Sequence, residues 1–469
     1  MSEQSKRMLR GSARAATGLV VIGVSVGVAV VLGTGVLAVP GVERGIVSVE
    51  VDTSQNATSS LVCAGAFGEL GADPKRPTVA LPGGSTQVVV TGEGATEREL
   101  EREQPVGSAP LVVDSSARDS VAAAERQLVA TPTLQGLAAS SCAEPAHEQW
   151  LVGGATGLGQ SATLVIGNPY DVPATVQVTL FDGEGQIDAS SSAGVLVPAG
   201  SQRIVSINGY APGRDELVAR VDSTGAAVTA ALSVSQTVDI RSYAVDTVTR
   251  QLVPQTRLVV PGIVNISNHT HSEVGSVAGV DDFPVVVRVL APGDVSGTAE
   301  ITALLPDGAA ESLGTLEIEH GTVAEFEVSK WPEDAQAVVV DADVPVVGGV
   351  FSTVDVAPAH DYYWSAPAPE LPVGADVALS VVDSGRLVLA NPGDADATVT
   401  IVPADEQGEE RTVEVPAGTA VEVAAQGRNR LRTTAPVSAS VRIVEGAYVA
   451  SYPVFAPADE ATSLTVFPR

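Results

Sequence analysis

The chain has 469 residues, of which 56 are acidic and 26 are basic, so its formal net charge is −30. A chain this acidic repels phosphate groups, and the composition therefore argues against nucleic acid and anionic lipid head groups as partners. Aromatic residues make up only 4% of the sequence, which weighs against a sugar-binding face made of stacked rings.

Residues 15–39 form an uncharged apolar run that follows a basic segment, residues 1–14. About 20 apolar residues span a bilayer core, and basic residues remain on the cytoplasmic side. The run predicts a single-pass helix in the cell membrane, with a cytoplasmic N-terminus and an extracellular remainder. The alternative is a signal peptide cleaved after Ala38, because Val36-Leu37-Ala38 offers a small-residue cleavage site. Both interpretations export the rest of the chain.

The sequence contains two cysteines, Cys63 and Cys142, and both follow the apolar run. Disulfides persist in exported proteins. An even pair without neighbouring cysteine or histidine ligands is typical of a covalent bridge and not of a zinc site. We expect the two residues to be bonded to each other. Two separate thiols are the alternative.

A pattern that occurs four times dominates the rest of the chain. Each copy has a strand end, a tight turn with glycine, and Ser or Thr at the start of the next strand: Leu81–Ser85, Val197–Ser201, Ile318–Thr322 and Val415–Thr419. Glycine suits such a turn because it adopts positive φ without steric cost. Three copies also have an upstream strand that ends in a proline turn, at Asn168-Pro169, Ala291-Pro292 and Asn391-Pro392.

The spacing of the turn glycines decides the predicted architecture. It is roughly 100–120 residues, whereas a propeller blade needs about 40–50, and a unit of about 100 residues with short strands is typical of an immunoglobulin-like β-sandwich. We predict an all-β fold of tandem immunoglobulin-like sandwiches after one N-terminal transmembrane helix. The alternative is that the repeats fuse into one propeller-like β-domain. The predicted units are residues 45–150, 151–260, 261–370 and 371–469.

The first unit is the least regular of the four. Its charged stretch, residues 93–103, precedes an Ala/Ser-rich segment that ends at Ser141. This composition indicates a polar surface insertion or a linker inside the unit.

Two segments at unit boundaries resemble each other, Pro145–Trp150 and Pro358–Trp364. Two interpretations of the second segment remain open. Trp364 fills the seam between the third and fourth units, or the segment forms an exposed patch that binds a ligand or partner. The residues of that patch are His360, Asp361, Tyr362, Tyr363 and Trp364.

Signatures of catalysis are missing from the exported sequence. No Gly-x-Ser-x-Gly elbow follows the apolar run, and no glycine-rich loop carries a P-loop lysine. His269 and His271, with Glu273, form a weak metal-binding pattern in a loop-like stretch, and His320 occupies a turn position. We therefore expect no catalytic residue, no bound metal, no cofactor and no enzymatic activity.

Several motifs together resemble one known family. They are Cys63-Ala64-Gly65, where the family has Cys-Pro-Gly, then Trp150-Leu-Val-Gly-Gly154, Asn168-Pro169 and Val197–Ser201, all after an N-terminal anchor. This arrangement resembles an actinobacterial, membrane-anchored family known as domain of unknown function 5719. The resemblance covers nearly all of the exported chain and implies a cell-envelope protein without known catalysis.

The leading hypothesis is a non-catalytic, membrane-anchored extracytoplasmic scaffold or interaction protein of the cell envelope. Its partners would be the lipid bilayer, through the N-terminal helix, and an envelope protein or glycopolymer, without nucleic acid. The alternative is a carbohydrate- or glycopolymer-binding module that takes part in wall or capsule assembly. The aromatic cluster Tyr362–Trp364 is the only feature that favours the alternative.

Overall fold

The computed structural model describes residues 49–52, 58–70, 75, 80–102, 107–116, 121–188, 194–238, 241–267, 284–308, 310–356, 359–404, 408–456 and 463–466. The predicted membrane run, residues 15–39, lies outside these ranges, and so do His269, His271 and Glu273. Within the ranges, no helix is long and apolar enough to cross a membrane.

The described chain is β-structure apart from one 3₁₀ turn, Ile207–Gly209, which confirms the predicted all-β class. Strand β1 (Val49–Asp52) pairs antiparallel with Ser463–Val466 in a small unit of its own. The described residues from 58 to 456 belong to a second, large compact unit. Four consecutive β-sandwiches make up this large unit.

The first two sandwiches contain strands β2 to β20. The first has β2 (Ser59–Val62), β3 (Gly68–Leu70), β4 (Ala80–Pro82), β5 (Gln87–Thr91), β6 (Thr96–Glu99), β7 (Glu101–Arg102), β8 (Leu111–Ser115), β9 (Ala122–Ala130) and β10 (Gln135–Ser141). The second has β11 (Glu148–Val152), β12 (Gln160–Asn168), β13 (Ala174–Asp182), β14 (Gly185–Gln186), β15 (Val195–Val197), β16 (Ser201–Ser206), β17 (Val218–Gly225), β18 (Thr229–Val238), β19 (Arg241–Val248) and β20 (Arg250–Gln251).

The last two sandwiches contain strands β21 to β36. The third has β21 (Gln255–Pro261), β22 (Ile266–Ser267), β23 (Val285–Leu290), β24 (Gly297–Leu304), β25 (Ala310–Ile318), β26 (Val323–Val328), β27 (Ala337–Val356) and β28 (Ala359–Ser365). The fourth has β29 (Val377–Val381), β30 (Gly385–Asn391), β31 (Ala397–Pro403), β32 (Arg411–Val415), β33 (Thr419–Ala424), β34 (Gly427–Thr433), β35 (Ser438–Glu445) and β36 (Tyr448–Pro453).

Each sandwich encloses its own apolar core between two sheets. In the fourth, for example, sheet β29-β34-β31-β32 packs against sheet β33-β30-β35-β36. Ala397, Val399 and Ile401 of β31 are buried there while their neighbours in sequence are more exposed, as the two-residue period of a strand requires. In the third sandwich the long strand β27 serves both sheets, pairing with β21 and β24 and then with β23 and β28.

The repeated turns have the predicted conformation. Gly200, Gly321 and Gly418 have φ values of 62°, 72° and 71°. The buried Asn168 joins its proline turn to the glycine turn, because its side-chain amide donates to the carbonyl of Val197 at 3.2 Å. Asn391 makes the same link in the fourth sandwich. The two repeated motifs therefore form one hydrogen-bonded corner.

The Ala/Ser-rich segment that ends at Ser141 is not a surface insertion or linker, contrary to the expectation from composition. Strands β9 and β10 form a hairpin there, and Ala124, Leu137 and Ala139 are buried in the core of the fourth sandwich. Small side chains allow this close approach of strands. They also weaken the hydrophobic alternation that would identify the strands in the sequence. The charged strand β6 is exposed, as expected for a polar stretch.

The four sandwiches close into a ring. The last long strand of each, β10, β19, β28 and β36, lies at the edge of its sheet, and each of these edges contacts the next around a common centre. We call the region where these four strands meet the hub. The propeller-like alternative thus describes how the units assemble, although each unit is a sandwich of two sheets instead of a single blade.

Cys63 and Cys142 form the predicted disulfide, in the core of the first sandwich. The bridge spans 79 residues, and closing such a loop stabilises the folded state by about 4 kcal/mol in the chain-entropy model.

We expect Cys142→Ser to lower the free energy of unfolding by about 2–5 kcal/mol, measured by denaturant titration of the full chain. Wild type with its disulfide reduced is the matched control and should behave as the variant does. Equal stability of the variant and the oxidised wild type would contradict the assignment.

Candidate functional site

The residues of the predicted aromatic patch lie in β28, inside the hub. Their exposed fractions are at most 6% of the residue surface. His360 stacks on Tyr243 with the ring centroids 3.7 Å apart, and the Tyr363 hydroxyl donates to the carbonyl of Gly262 at 3.1 Å. These side chains belong to the interior, so the alternative of an exposed binding patch does not describe them.

Asp361 connects three of the four hub strands. Its carboxylate accepts the backbone N–H of Leu137 in β10 at 2.9 Å and that of Val449 in β36 at 3.1 Å. Edge strands carry N–H groups that have no neighbouring strand, and such groups are costly when buried without a partner. The Asp361 carboxylate therefore takes the place of a neighbouring strand.

The approach of strands at Asp361 requires glycine at position 136. Gly136 has a φ of 149°, and a Cβ atom there would lie 2.8 Å from Oδ1 of Asp361 and 2.5 Å from the backbone nitrogen of Val245. Any larger residue would push β10 away from β19 and β28. The hub thus depends on Gly136, which has no side chain, and on the carboxylate of Asp361.

A second buried carboxyl, Asp246 in β19, accepts the backbone N–H of Trp364 through Oδ2 at 2.7 Å. Its other oxygen, Oδ1, has no hydrogen-bond partner. Burial raises the pKa of Asp246 to about 8, while the N–H donors of Trp364 and Thr247 oppose the rise. Burial also raises the pKa of Asp361, three backbone N–H donors oppose this, and the charge of Asp246 adds to the rise.

Trp364 fills a seam between sandwiches, but between the second and third instead of the predicted third and fourth. Its ring packs in the core of the second sandwich, and the Arg288 guanidinium lies 4.3 Å from the ring centroid. A Cβ atom on Gly153 would be 2.8 Å from this ring. The reason for the difference is that β28, although the last strand of the third sandwich, also contacts β19 of the second.

Arg288 bridges the same seam, and each of its three side-chain nitrogen atoms donates a hydrogen bond. This buried side chain donates to the carbonyls of Gly154 at 2.7 Å, Leu217 at 3.1 Å and Asp215 at 3.2 Å, all in the second sandwich. It also pairs with Glu325 at 2.7 Å within the third. The Trp-Leu-Val-Gly-Gly motif therefore supplies both the space for Trp364 and an acceptor for Arg288.

The Cys63-Ala64-Gly65 segment is held by Glu125. Oε1 of Glu125 accepts the N–H of Gly65 at 2.9 Å, and the N–H of Ala64 also donates to this carboxyl, which a proline could not do. The carbonyl of Ala64 accepts from the Gln202 side chain at 2.8 Å, which ties the first sandwich to the second. Burial raises the pKa of Glu125 to about 7.

A cavity of about 480 Å³ lies where the connectors between sandwiches come together. Residues of all three connectors line it, and so does the chain that follows β36. Cys142 and Glu144 belong to the first connector, Leu252 and Val253 to the second, Pro367–Val373 without Ala368 to the third, and Val454–Ala456 follow β36. Its other walls are mostly apolar and include Leu61, Val121 and Leu379. Three large aliphatic lining residues are exposed: Leu252, Val253 and Val373 at 38%, 57% and 54%.

Arg250 is the cationic side chain that lines this connector cavity. It is only 5% exposed, and its Nε and Nη1 atoms are buried without a hydrogen-bond partner. The guanidinium carbon lies 5.8 Å from the centroid of the Phe455 ring. Burial lowers the pKa of Arg250 to about 10, and the Glu144 carboxylate opposes this, so the side chain remains a cation at neutral pH.

Sequence reasoning missed Arg250 because a single arginine in a β-rich stretch carries no motif. The only available signal was its position in a short strand just before Pro254, at a unit boundary. Of the other candidates, His320 lies in an exposed turn, where its backbone N–H donates to Ser296 Oγ at 3.0 Å. No group of three or more His, Cys, Asp or Glu residues in the described ranges could hold a metal ion.

The raised pKa of Asp246 makes a prediction about pH. The folded-state pKa of about 8 exceeds the ordinary 3.8, so the folded protein retains a proton that the unfolded chain releases. This contribution to stability is complete below about pH 4 and is lost as the pH rises through about 8. We expect the free energy of unfolding to fall over that window, as measured by denaturant titration.

Asp246→Asn is the matched test, because asparagine has the same shape and carries no charge. The free energy of unfolding of the variant should decline less steeply with pH. The decline that remains should come from Asp361 and Glu125. An identical pH dependence for wild type and variant would show that Asp246 ionises normally.

Comparisons with curated proteins and with solved structures returned no match. A family model matches residues 100–426, a span that contains the second and third sandwiches, Arg250 and both hub aspartates. Because the match covers more than half of the chain, the protein belongs to the family of unknown function DUF5719.

Proposed function

We propose that the protein is a non-catalytic, membrane-anchored scaffold or interaction protein of the cell envelope. In this role the ring holds the outer loops of four sandwiches in fixed positions, so that partners meet a rigid surface. The observation that carries the proposal is the hub, where Asp361 accepts backbone N–H groups from two neighbouring sandwiches. Hydrogen bonds have strict geometry, and this arrangement therefore fixes orientation as well as contact.

The seams support the same role. Arg288 joins the second and third sandwiches through carbonyl acceptors, and Arg442 of the fourth donates to the carbonyl of Ile263 in the third. The ring closes through Thr91 Oγ1 of the first sandwich, which donates to the carbonyl of Leu379 in the fourth at 2.9 Å. Buried polar contacts of this kind add little net stability, because desolvation offsets their attraction. Their effect is to select one relative placement of the sandwiches.

The apolar run at residues 15–39 supports anchoring of this body to the membrane, with the sandwiches outside the cell. The acidic composition supports an exposed, well-solvated location, because a large net charge opposes self-association. The glycopolymer-binding alternative depended on Tyr362–Trp364. Since these residues are buried, the cluster no longer supports it.

Site-specific photo-crosslinking in intact cells tests the proposal. A photoreactive residue replaces Leu158 of the second sandwich or Val295 of the third, whose side chains are fully and 60% exposed. We expect discrete crosslinks to an envelope partner, recovered in the membrane fraction. The same residue at Leu164, which is buried, is the matched control and should give none.

Asp361→Leu, combined with each exposed probe, tests whether the ring geometry matters. It should weaken the crosslinks while the chain stays in the membrane fraction. Absence of a specific partner at both exposed positions, or recovery of the chain in the soluble fraction, would contradict the proposal.

A further inference from the structure

We propose that the connector cavity is a binding site for an apolar monocarboxylate, whose carboxylate pairs with the Arg250 guanidinium. The ligand is a small molecule with a single negative charge and a hydrocarbon body. This site goes beyond the scaffold role and does not depend on it, because the cavity lies at the connectors and not on the outer loops.

The unpartnered donors of Arg250 carry the proposal. Among the residues that the structure describes, Arg288 and Arg442 are the other two arginines with comparable burial. Both donate to carbonyls of a neighbouring sandwich and pair with carboxylates, Glu325 and Glu422. Arg250 is equally buried, but neither a carbonyl nor a carboxylate accepts a hydrogen bond from its Nε and Nη1 atoms. Buried charges are normally paired, because desolvating an unpaired ion is costly. The missing acceptors therefore point to a partner that arrives from outside.

The shape of the Arg250 side chain selects the head group. A guanidinium presents its donors in a flat fork that matches the two oxygens of a carboxylate. Glu144 lies close enough to act on Arg250 electrostatically, and its Oε1 already accepts a hydrogen bond from Ser59 at 2.6 Å. Two carboxylates line the cavity, Glu144 and the exposed Glu370, beside the single cation Arg250. A ligand with one negative charge is therefore repelled less than a dianion such as a phosphate monoester.

The walls select the body of the ligand. A volume of about 480 Å³ suits a small organic molecule, for which cavities of about 300–1,000 Å³ are usual. Leu61, Val121, Leu379 and the Phe455 ring offer apolar contact around the charged group. Leu252, Val253 and Val373 extend this apolar surface to the solvent-exposed side. Burying these exposed side chains against hydrocarbon is favourable, so an alkyl chain fits better than a polar body.

The test measures binding of octanoate to the full chain by calorimetry, with 1-octanol and octyl phosphate as probes of equal chain length. We expect octanoate to bind at least tenfold more tightly than either of the other two. Arg250→Gln should weaken octanoate binding at least tenfold. Arg428→Gln, which removes an exposed arginine of β34 with no contact to the cavity, should leave it unchanged.

Two further measurements separate a binding role from a structural one. Without ligand, Arg250→Gln should melt no lower than wild type, since it removes a buried cation whose Nε and Nη1 atoms have no acceptor. Val253→Glu places a negative charge on an exposed cavity residue and should weaken octanoate binding. Val295→Glu, at an equally exposed valine away from the cavity, should not.

Equal octanoate binding by wild type and Arg250→Gln would overturn the proposal, as would equal binding of octanol and octanoate. Tighter binding of octyl phosphate would overturn the assignment to a monocarboxylate. A lower melting temperature of Arg250→Gln without ligand would show that the arginine stabilises the fold and would count against a ligand site.

Discussion

The architecture depends on how backbone N–H groups are satisfied where four edge strands meet. A sheet edge in solution can bond to water, but the hub excludes water from β10, β19, β28 and β36. Asp361 and Asp246 supply carboxylate oxygens to N–H groups of three of these strands, at Leu137, Val449 and Trp364. The sandwiches can close into a ring because these two side chains do what further strands would do in a continuous sheet.

Buried charges in this protein therefore fall into two groups. Asp361 and Arg288 have hydrogen-bond partners in neighbouring sandwiches, and their role is to place one sandwich against another. Arg250 is equally buried, but its Nε and Nη1 atoms have no hydrogen-bond partner, and it faces a cavity. The presence or absence of acceptors distinguishes a structural arginine from the arginine of the proposed binding site. This difference could be recognised only from the structure, which shows where the acceptors lie.

Local features of the fold could be predicted from the sequence, because their causes are local. Gly200 is needed for a left-handed turn, and Asn168 precedes a proline, so both motifs indicate corners between strands. The pairing of Cys63 with Cys142 followed from the absence of any other thiol. The repeat length excluded a single blade and favoured a sandwich for each unit.

The ring and the candidate site could not be predicted in the same way, because they depend on which edges meet. Asp361 beside three aromatic residues has the composition of an exposed patch, and only burial against Leu137 and Val449 shows that it is a structural acceptor. Trp364 was assigned to the wrong seam, since chain order does not determine which neighbour a terminal strand contacts. Arg250 gave no signal, because a missing acceptor is not visible in a sequence.

Amide hydrogen exchange at the hub tests whether the Asp361 side chain replaces a neighbouring strand. In Asp361→Leu, the amides of Leu137 and Val449 lose their acceptor. The amide of Val441, in a strand paired on both sides, is the internal reference. We expect exchange at Leu137 and Val449 to accelerate at least tenfold relative to Val441. Unchanged protection at both amides, or the same acceleration at all three, would contradict the claim that the carboxylate replaces a neighbouring strand.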